Sequence, residues 1–565
     1  MLANGNMNTT HTLKTKLLFL LPVLLFCFSC NESRTSTPGK KEDRVGLFEK
    51  GLFNQDEFTK ALRSGVTALD TTDSVYLKTK ILSVQQGVRY VYTRNEFSPF
   101  WVKEKGVTAA ADKLIDELAT LSDDGLDPER YHLSDLRKQL DALKAEKSAE
   151  VDAVLNFDTT CTRSYLQASR DLLIGAVSPK KADSLWYHIN DSAWDAPKLM
   201  LSKLAADDEY PELKTFRSEI PTYVLLQQVL RRYRELCRDS AYMGTKEDIS
   251  GAPKDSIIAF IAEKEIGDIY DPANDSVSRS KQILQNYQYY NGLRMTGKKD
   301  SATIAVLSRR PEQTIEMIEA NMERLRWLPK KLEDQYVLVN IPMMEFMLRK
   351  DNFDAFRMRV VVGRPERQTP VLNARMVNIV FNPSWGVPPT ILKKDVLPGL
   401  TKSGAAYLSK KGLRAYDHNG NAVDAGSITE ANYKHFIYKQ PPGDDNSLGV
   451  IKFNLPNPWD IYLHDTPHKE DFPMFSRAKS SGCIRLQKPR ELAEYILTQL
   501  EGRSRFDQLY IDTLVQTHKT RYEILKNKIP VHIVYLTAFE DSTGKQIRFL
   551  RDVYGRDAKL LSLMQ

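Results

Sequence analysis

The chain is poor in the residues that build several common kinds of site. Only five of its 565 residues are cysteine and six are tryptophan. So few thiols exclude a disulfide framework of the kind that staples small secreted domains. No HExxH segment occurs, and the three cysteines beyond residue 30 (Cys161, Cys237 and Cys483) form no CxxC pair, so the usual zinc signatures are missing. Neither sign of charge prevails. The 80 basic and 73 acidic side chains leave a net +7, too small and too spread out to point to nucleic acid. No apolar run approaches the roughly 18–20 residues that a spanning helix needs; the longest, Leu17–Phe28, has 12. What is present is ordinary: 42% hydrophobic and 27% charged residues, the composition of a globular protein with room for about three to four domains.

The short apolar run follows Lys14 and Lys16 and ends at Ser29-Cys30, the layout of a secretory signal over residues 1–29. Phe28-Ser29-Cys30 is similar to a bacterial lipobox, which implies cleavage before Cys30 and lipidation of its thiol; ordinary signal-peptide cleavage is the alternative. Polar residues with Pro and Gly follow, and residues 30–70 read as a linker. The expectation is an exported protein that meets a membrane only through an N-terminal lipid anchor.

Residues 71–275 read as a helical domain. Leu114, Ile115, Leu118 and Leu121 share one helical face, as do Tyr165, Leu166, Ser169, Leu172 and Leu173. Cys161 and Cys237 fall in such helical context and read as packed small hydrophobes. Residues 276–328 read as a small helical unit that ends in a helix with Pro311 in its first turn. At Gln335 the period changes from 3.6 to 2. Tyr336–Ile341, Phe356–Val360, Val377–Phe381, Tyr433–Tyr438, Ile461–Leu463 and Val531–Leu536 read as strands of a sandwich or barrel-like domain over 329–560. A stretch of about 390–431, rich in Lys, Gly and Ser, interrupts this rhythm as an inserted flap. The fold class is multidomain α+β.

The chemistry concentrates in Tyr462-Leu463-His464-Asp465 and Ser480-Ser481-Gly482-Cys483-Ile484-Arg485. A thiol has a pKa near 8.5 and reacts as the thiolate, so it needs a base or a cation beside it. His464, at the end of a strand, can take that proton. Gly482 lets a substrate carbonyl approach, and the N–H groups of Ser481, Gly482 and Cys483 are candidate oxyanion donors. Arg485 adds a cation that could lower the thiol pKa or grip a carboxylate. His468 lies in a loop and is a weaker base, and His435 and His532 read as structural strand residues.

These segments resemble the active-site motif of L,D-transpeptidases with the YkuD-type catalytic domain. Most members have Ser/Thr-His-Gly-Cys; here Ser481 stands in place of that His, which leaves His464 as the base. Ser-Ser-Gly-Cys matches the large multidomain (YcbB-like) branch. So do Arg359–Pro365, Arg367–Pro370, Phe381–Pro389, Gln440–Gly443 with Asn446–Gly449, and Asp552–Asp557. Upstream, residues 283–307 resemble a peptidoglycan-binding module, Asn321–Pro329 the join this branch uses, and Asp124–Pro128 its scaffold domain. The resemblance implies acyl transfer on peptidoglycan stem peptides through a Cys483 thioester, giving 3–3 crosslinks, with Tyr462 and Trp385 lining the substrate cleft. It implies no cofactor, no metal and no nucleic-acid partner, a periplasmic location in a Gram-negative-type envelope, and acylation of the thiol by carbapenems. An L,D-carboxypeptidase and a non-catalytic, lipid-anchored cell-wall-binding protein remain the alternatives.

Overall fold

The computed structural model describes residues 51–67, 83–207, 210, 212–249, 251, 253–272 and 277–565. The expected signal segment and Cys30 lie outside the described residues. Among the described residues no helix is long and apolar enough to cross a membrane.

The N-terminal region is helical. Helices α1 (Gln55–Thr67), α2 (Val84–Arg94), α3 (Ala109–Ala119) and α4 (Leu133–Ala145) pack around the long α5 (Val151–Ile174). Thr108 caps α3 by accepting the Ala111 N–H, and Leu114, Ile115, Leu118 and Leu121 are all buried, as their spacing requires. The linker expected over 30–70 is not a linker at 55–67. There α1 buries Phe58 and Leu62, one turn apart, in the helical core. At the centre of that core Asp158 of α5 accepts the Tyr92 hydroxyl at 2.6 Å and the main-chain N–H groups of Phe100 and Trp101 at 2.9 and 2.7 Å.

The C-terminal region is built on nine strands: β1 (Gln335–Asn340), β2 (Glu345–Lys350), β3 (Phe353–Gly363), β4 (Leu372–Phe381), β5 (Ile451–Asn454), β6 (Leu463–His464), β7 (Ala478–Ser480), β8 (Ile484–Leu486) and β9 (Arg521–Val534). Their order is β7-β3-β8-β6-β5-β4-β9-β1-β2, and β2 pairs back onto β3, so the sheet closes into a barrel. The β6–β8, β3–β7 and β1–β9 pairs are parallel and the rest antiparallel. Gly363 ends β3 where the following loop folds back so closely that a Cβ would stand 2.3 Å from the Arg367 carbonyl.

Between β4 and β5 the chain leaves the barrel and forms a cap. A small sheet of Trp385–Gly386, Ile437–Gln440, Arg414–Tyr416 and Ala422–Val423 encloses its own core of Val396, Leu400, Leu408, Tyr433 and Tyr438. Two of those strands lie outside 390–431, so the inserted unit is wider than the flap expected from composition.

The helices Arg279–Tyr290, Ser301–Leu307 and Pro311–Arg326 do not close a core of their own. Ile283, Leu284, Tyr287, Leu307 and Ile318 join the cluster that fills the barrel side of the molecule. Three short helices have too little apolar surface to stand alone. The last of them is a joint. Its Arg326 donates to the Asp124 carbonyl (2.7 Å) and its Glu323 accepts the Val177 N–H (2.7 Å), while its Asn321 accepts the Thr537 N–H (2.7 Å) and its Arg324 binds Asp557 (2.5 Å). A second connection is the strap around Tyr187. Its N–H donates to the Val371 carbonyl (2.6 Å) and the Val371 N–H to Leu185 (2.9 Å). The Tyr187 ring stacks on Trp459 at 3.9 Å, with the Lys180 ammonium 3.4 Å above the Tyr187 ring.

Candidate active site

The parallel pairing of β6 with β8 builds the site. It sets Leu463 opposite Ile484 and His464 opposite Arg485, and the Ile484 N–H donates to the Tyr462 carbonyl at 3.2 Å. Leu463 and Ile484 are fully buried in the barrel core. By strand alternation Tyr462, His464, Cys483 and Arg485 share the other face. The Tyr462 and His464 rings meet edge to face, 5.6 Å apart.

The loop before Cys483 is held from several sides. Gly482 has φ +121°, a conformation that side chains rarely adopt. The fully buried Thr369 accepts the Gly363 N–H (2.9 Å) and donates to the Gly482 carbonyl (2.8 Å). The Ser480 hydroxyl donates to the Cys483 carbonyl (2.6 Å) and accepts the Gly482 N–H (3.1 Å). That last bond corrects the expected oxyanion set, because the Gly482 donor is already taken by its neighbour. Among the described residues the N–H groups of Ser481 and Cys483 have no acceptor. These are the two donors left for a substrate oxygen.

The thiol is half-buried, and Sγ donates to the Asp460 carbonyl at 3.6 Å. Asp460 itself holds a positive φ of +52°. Burial pushes the thiol up, while the Tyr462 main chain and hydroxyl and the Lys452 ammonium pull it back. His464 is not hydrogen-bonded to the thiol; its Nδ1–H donates to the Asp465 carbonyl at 2.5 Å. The sequence offers His464 as the acceptor of the thiol proton, and in the resting arrangement no hydrogen bond joins the two. A neutral thiol is a weak donor and rests on the nearest carbonyl. With Nδ1 carrying the proton, Nε2 is the unprotonated nitrogen of the neutral ring, and the Leu448 main chain acts on the ring as well. Burial first, then the Arg485 and Lys452 cations, lower the imidazole to about 3, so the ring is a neutral base. Asp465 is fixed in turn by the Val450 N–H (3.0 Å) and by Lys469.

Arg485 does not present a free charge, because it pairs with Asp471 at 3.3 Å. The Ser481 hydroxyl accepts from Arg367 at 3.1 Å, and Arg367 grips Asp395 of the cap with two hydrogen bonds, one of 2.9 Å. A cleft of about 460 Å³ lies under the cap, lined by Trp385, Pro388, Lys452, Asn457, Asp460 and Tyr462. Trp385 and Tyr462 thus share one wall, and the cleft reaches the two residues against which the thiol rests. His468 pairs with Glu470 at the exposed surface, far from this chemistry in role. His532 is a buried strand residue bonded to His188 (2.8 Å), whereas His435 lies in a helical turn rather than a strand. Lys452, Asp460, Arg367 and Thr369 were not singled out in the sequence. Only Arg367 and Thr369 carried a signal, as part of Arg367–Pro370 beside the Gly363 turn.

A family model described as the L,D-transpeptidase catalytic domain, YkuD, matches residues 334–524, and a Scaffold domain model matches residues 86–230. The chain carries an L,D-transpeptidase catalytic domain. His464 and Cys483 both fall inside that domain, and the whole is a multidomain α+β protein with a helical Scaffold region ahead of a β-rich YkuD domain. A Haemophilus influenzae protein named "Putative L,D-transpeptidase" is 29% identical over 299 residues, 51% of this chain. The match spans 59% of that relative's own length. A solved structure titled "Structure of the Ldtfm-avibactam carbamoyl enzyme" is 12% identical over 37% of this chain and 51% of that one, with a TM-score of 0.18, too low to carry an argument.

Proposed function

We propose that the protein is a peptidoglycan L,D-transpeptidase that forms 3–3 crosslinks through a Cys483 thioester. The observation that supports this reading best is a half-buried thiol with two unpaired N–H donors beside it, resting against Asp460, which lines the cleft, and on the same sheet face as a neutral imidazole. As Sγ attacks the carbonyl of the third stem residue, its proton passes to Nε2 of His464. The carbonyl oxygen, now anionic, accepts from the Ser481 and Cys483 N–H groups. The C–N bond to the terminal D-Ala breaks, and the imidazolium protonates the leaving amine. The side-chain amine of a second stem attacks the thioester, gives a proton to His464, and the thiol leaves with that proton restored. Trp385 and Tyr462 would hold the stem in the cleft, and the cap would limit competition from water. The substrate requires export, in keeping with the leader segment and Cys30 as a lipid-bearing residue.

Incubation of the full chain with tetrapeptide muropeptides tests the reading. Crosslinked dimers are the expected product. Tripeptides alone would make the enzyme an L,D-carboxypeptidase. A carbapenem should add its mass to the wild type and not to Cys483→Ala. An unmodified wild type that still binds cell wall would leave a non-catalytic binding protein.

A further inference from the structure

The cations around the thiol differ in one respect. Arg485 is paired with Asp471, Lys479 with Asp471, Lys469 with Asp465 and Arg367 with Asp395. Lys452 is the exception. Among the described residues its ammonium has no carboxylate within ion-pair reach and no hydrogen-bond acceptor, although the residue is only partly exposed in the cleft wall. Withdrawing an ammonium from water without a partner is unfavourable, so the site holds a positive charge that calls for an anion.

The geometry supplies one. Lys452 on β5 is the cross-strand partner of His464, and its Nζ lies 4.1 Å from the centre of the Tyr462 ring. The Tyr462 hydroxyl and main chain in turn face the Cys483 sulfur. We propose that Lys452 is a further catalytic residue, whose ammonium is the counter-charge of the Cys483 sulfur as that sulfur passes its proton to His464. The assignment rests on Cys483 being the nucleophile. The other groups that face the sulfur do not replace Lys452. The Asp460 carboxylate opposes the thiolate and acts on Lys452 as well, the Tyr462 hydroxyl is neutral, His464 is the proton acceptor, and Arg485, which also acts on the sulfur, shares the Asp471 carboxylate with Lys479. Lys452 was invisible in the sequence because Ile451-Lys452-Phe453-Asn454 reads as any half-buried strand with a solvent-facing lysine.

The test is the pH dependence of Cys483 alkylation by iodoacetamide in the full chain, read by peptide mass spectrometry so that other thiols do not contribute. A cation favours the thiolate, so its removal raises the midpoint. K452M is expected to shift the midpoint up by about one pH unit, which is about a tenfold slower alkylation on the acid side, with the plateau above the midpoint unchanged. K452R should restore the wild-type curve. A K452M curve that superimposes on wild type overturns the assignment. So does a plateau lowered as much as the acid side, which marks a packing role. If K452M does not fold, K452Q is read in the same way. Muropeptide products from the same samples separate the two readings. A shifted midpoint without crosslinking retains Lys452 and rejects the transpeptidase, and crosslinking with an unmoved midpoint does the reverse.

Discussion

Asp158 in the helical region and Cys483 in the barrel region are both withdrawn from water, to opposite ends. Burial raises the Asp158 carboxyl to about 6, but a hydroxyl and two main-chain N–H groups fill its acceptor sites. Cys161, one turn along the same helix, is fully buried and pushed up by desolvation, with nothing near it to lower the thiol. Around Cys483 the polar groups are left open instead: two N–H donors, an unprotonated imidazole nitrogen and an unpaired ammonium. The same desolvation gives rigidity around Asp158, whose oxygens are matched, and, under the proposed function, reactivity around Cys483, where several groups are not.

The largest effect that would sharpen this contrast is on the helical side. Asp158→Ala leaves two buried N–H groups and a tyrosine hydroxyl unmatched, a loss of about 2–4 kcal/mol. Melting followed by circular dichroism should fall clearly, while the rate of Cys483 alkylation at 25 °C stays at the wild-type value. A rate that fell with the melting point would break the contrast. Gly482→Ala is the mirror experiment. A Cβ there has room, its nearest neighbour being Ile461 at 3.7 Å, but φ of +121° is strained for alanine by about 1–3 kcal/mol. Carbapenem acylation should slow about 10–100-fold, with a smaller fall in melting than Asp158→Ala gives.

The pH profile of that acylation comes next. The imidazole is lowered to about 3, so it stays neutral as pH falls through the ordinary histidine range and protonates only well below it. The thiol is raised and its proton passes to His464 inside the site, so the acylation rate should stay level between about pH 4 and 7. An acid limb near the ordinary histidine value would show that His464 is solvated like a surface residue. The smallest effect belongs to Arg367→Met, which releases Asp395 of the cap and the Ser481 hydroxyl. Partly exposed ion pairs contribute about 1 kcal/mol or less, so kcat/KM should fall about two- to fivefold, with Asp395→Asn giving a similar change.

Much of this was legible in the chain. The change of period at Gln335, the helix that starts at Pro311 and His464 at the end of a strand depend on local pattern, which sequence carries directly; Cys483 reads as leading into a helix, whereas the short strand Ile484–Leu486 comes between. Trp385 and Tyr462 do line one cleft, and the substrate role that the resemblance implies for them belongs to the proposed function. What failed depended on partners distant in sequence. Residues 55–67 looked like linker because two apolar residues, Phe58 and Leu62, say little until a core receives them. The stretch 276–328 looked separate because its helices gave no hint that the barrel covers them. The Gly482 N–H was counted as free because the Ser480 side chain that takes it could equally have faced solvent. Lys452 gains its place only through the register that sets it across from His464.

The strap at Tyr187 bears on what counts as the enzyme. From Lys180 through the stacked Tyr187 and Trp459, the next residue in the chain is Asp460, on whose carbonyl the sulfur rests. A protein trimmed to the matched span 334–524 would keep Cys483 and His464, yet would lose Tyr187 from that stack and most of strand β9. Under the proposed function, the helical half is then expected to hold the catalytic loop in place as well as to carry the Scaffold domain.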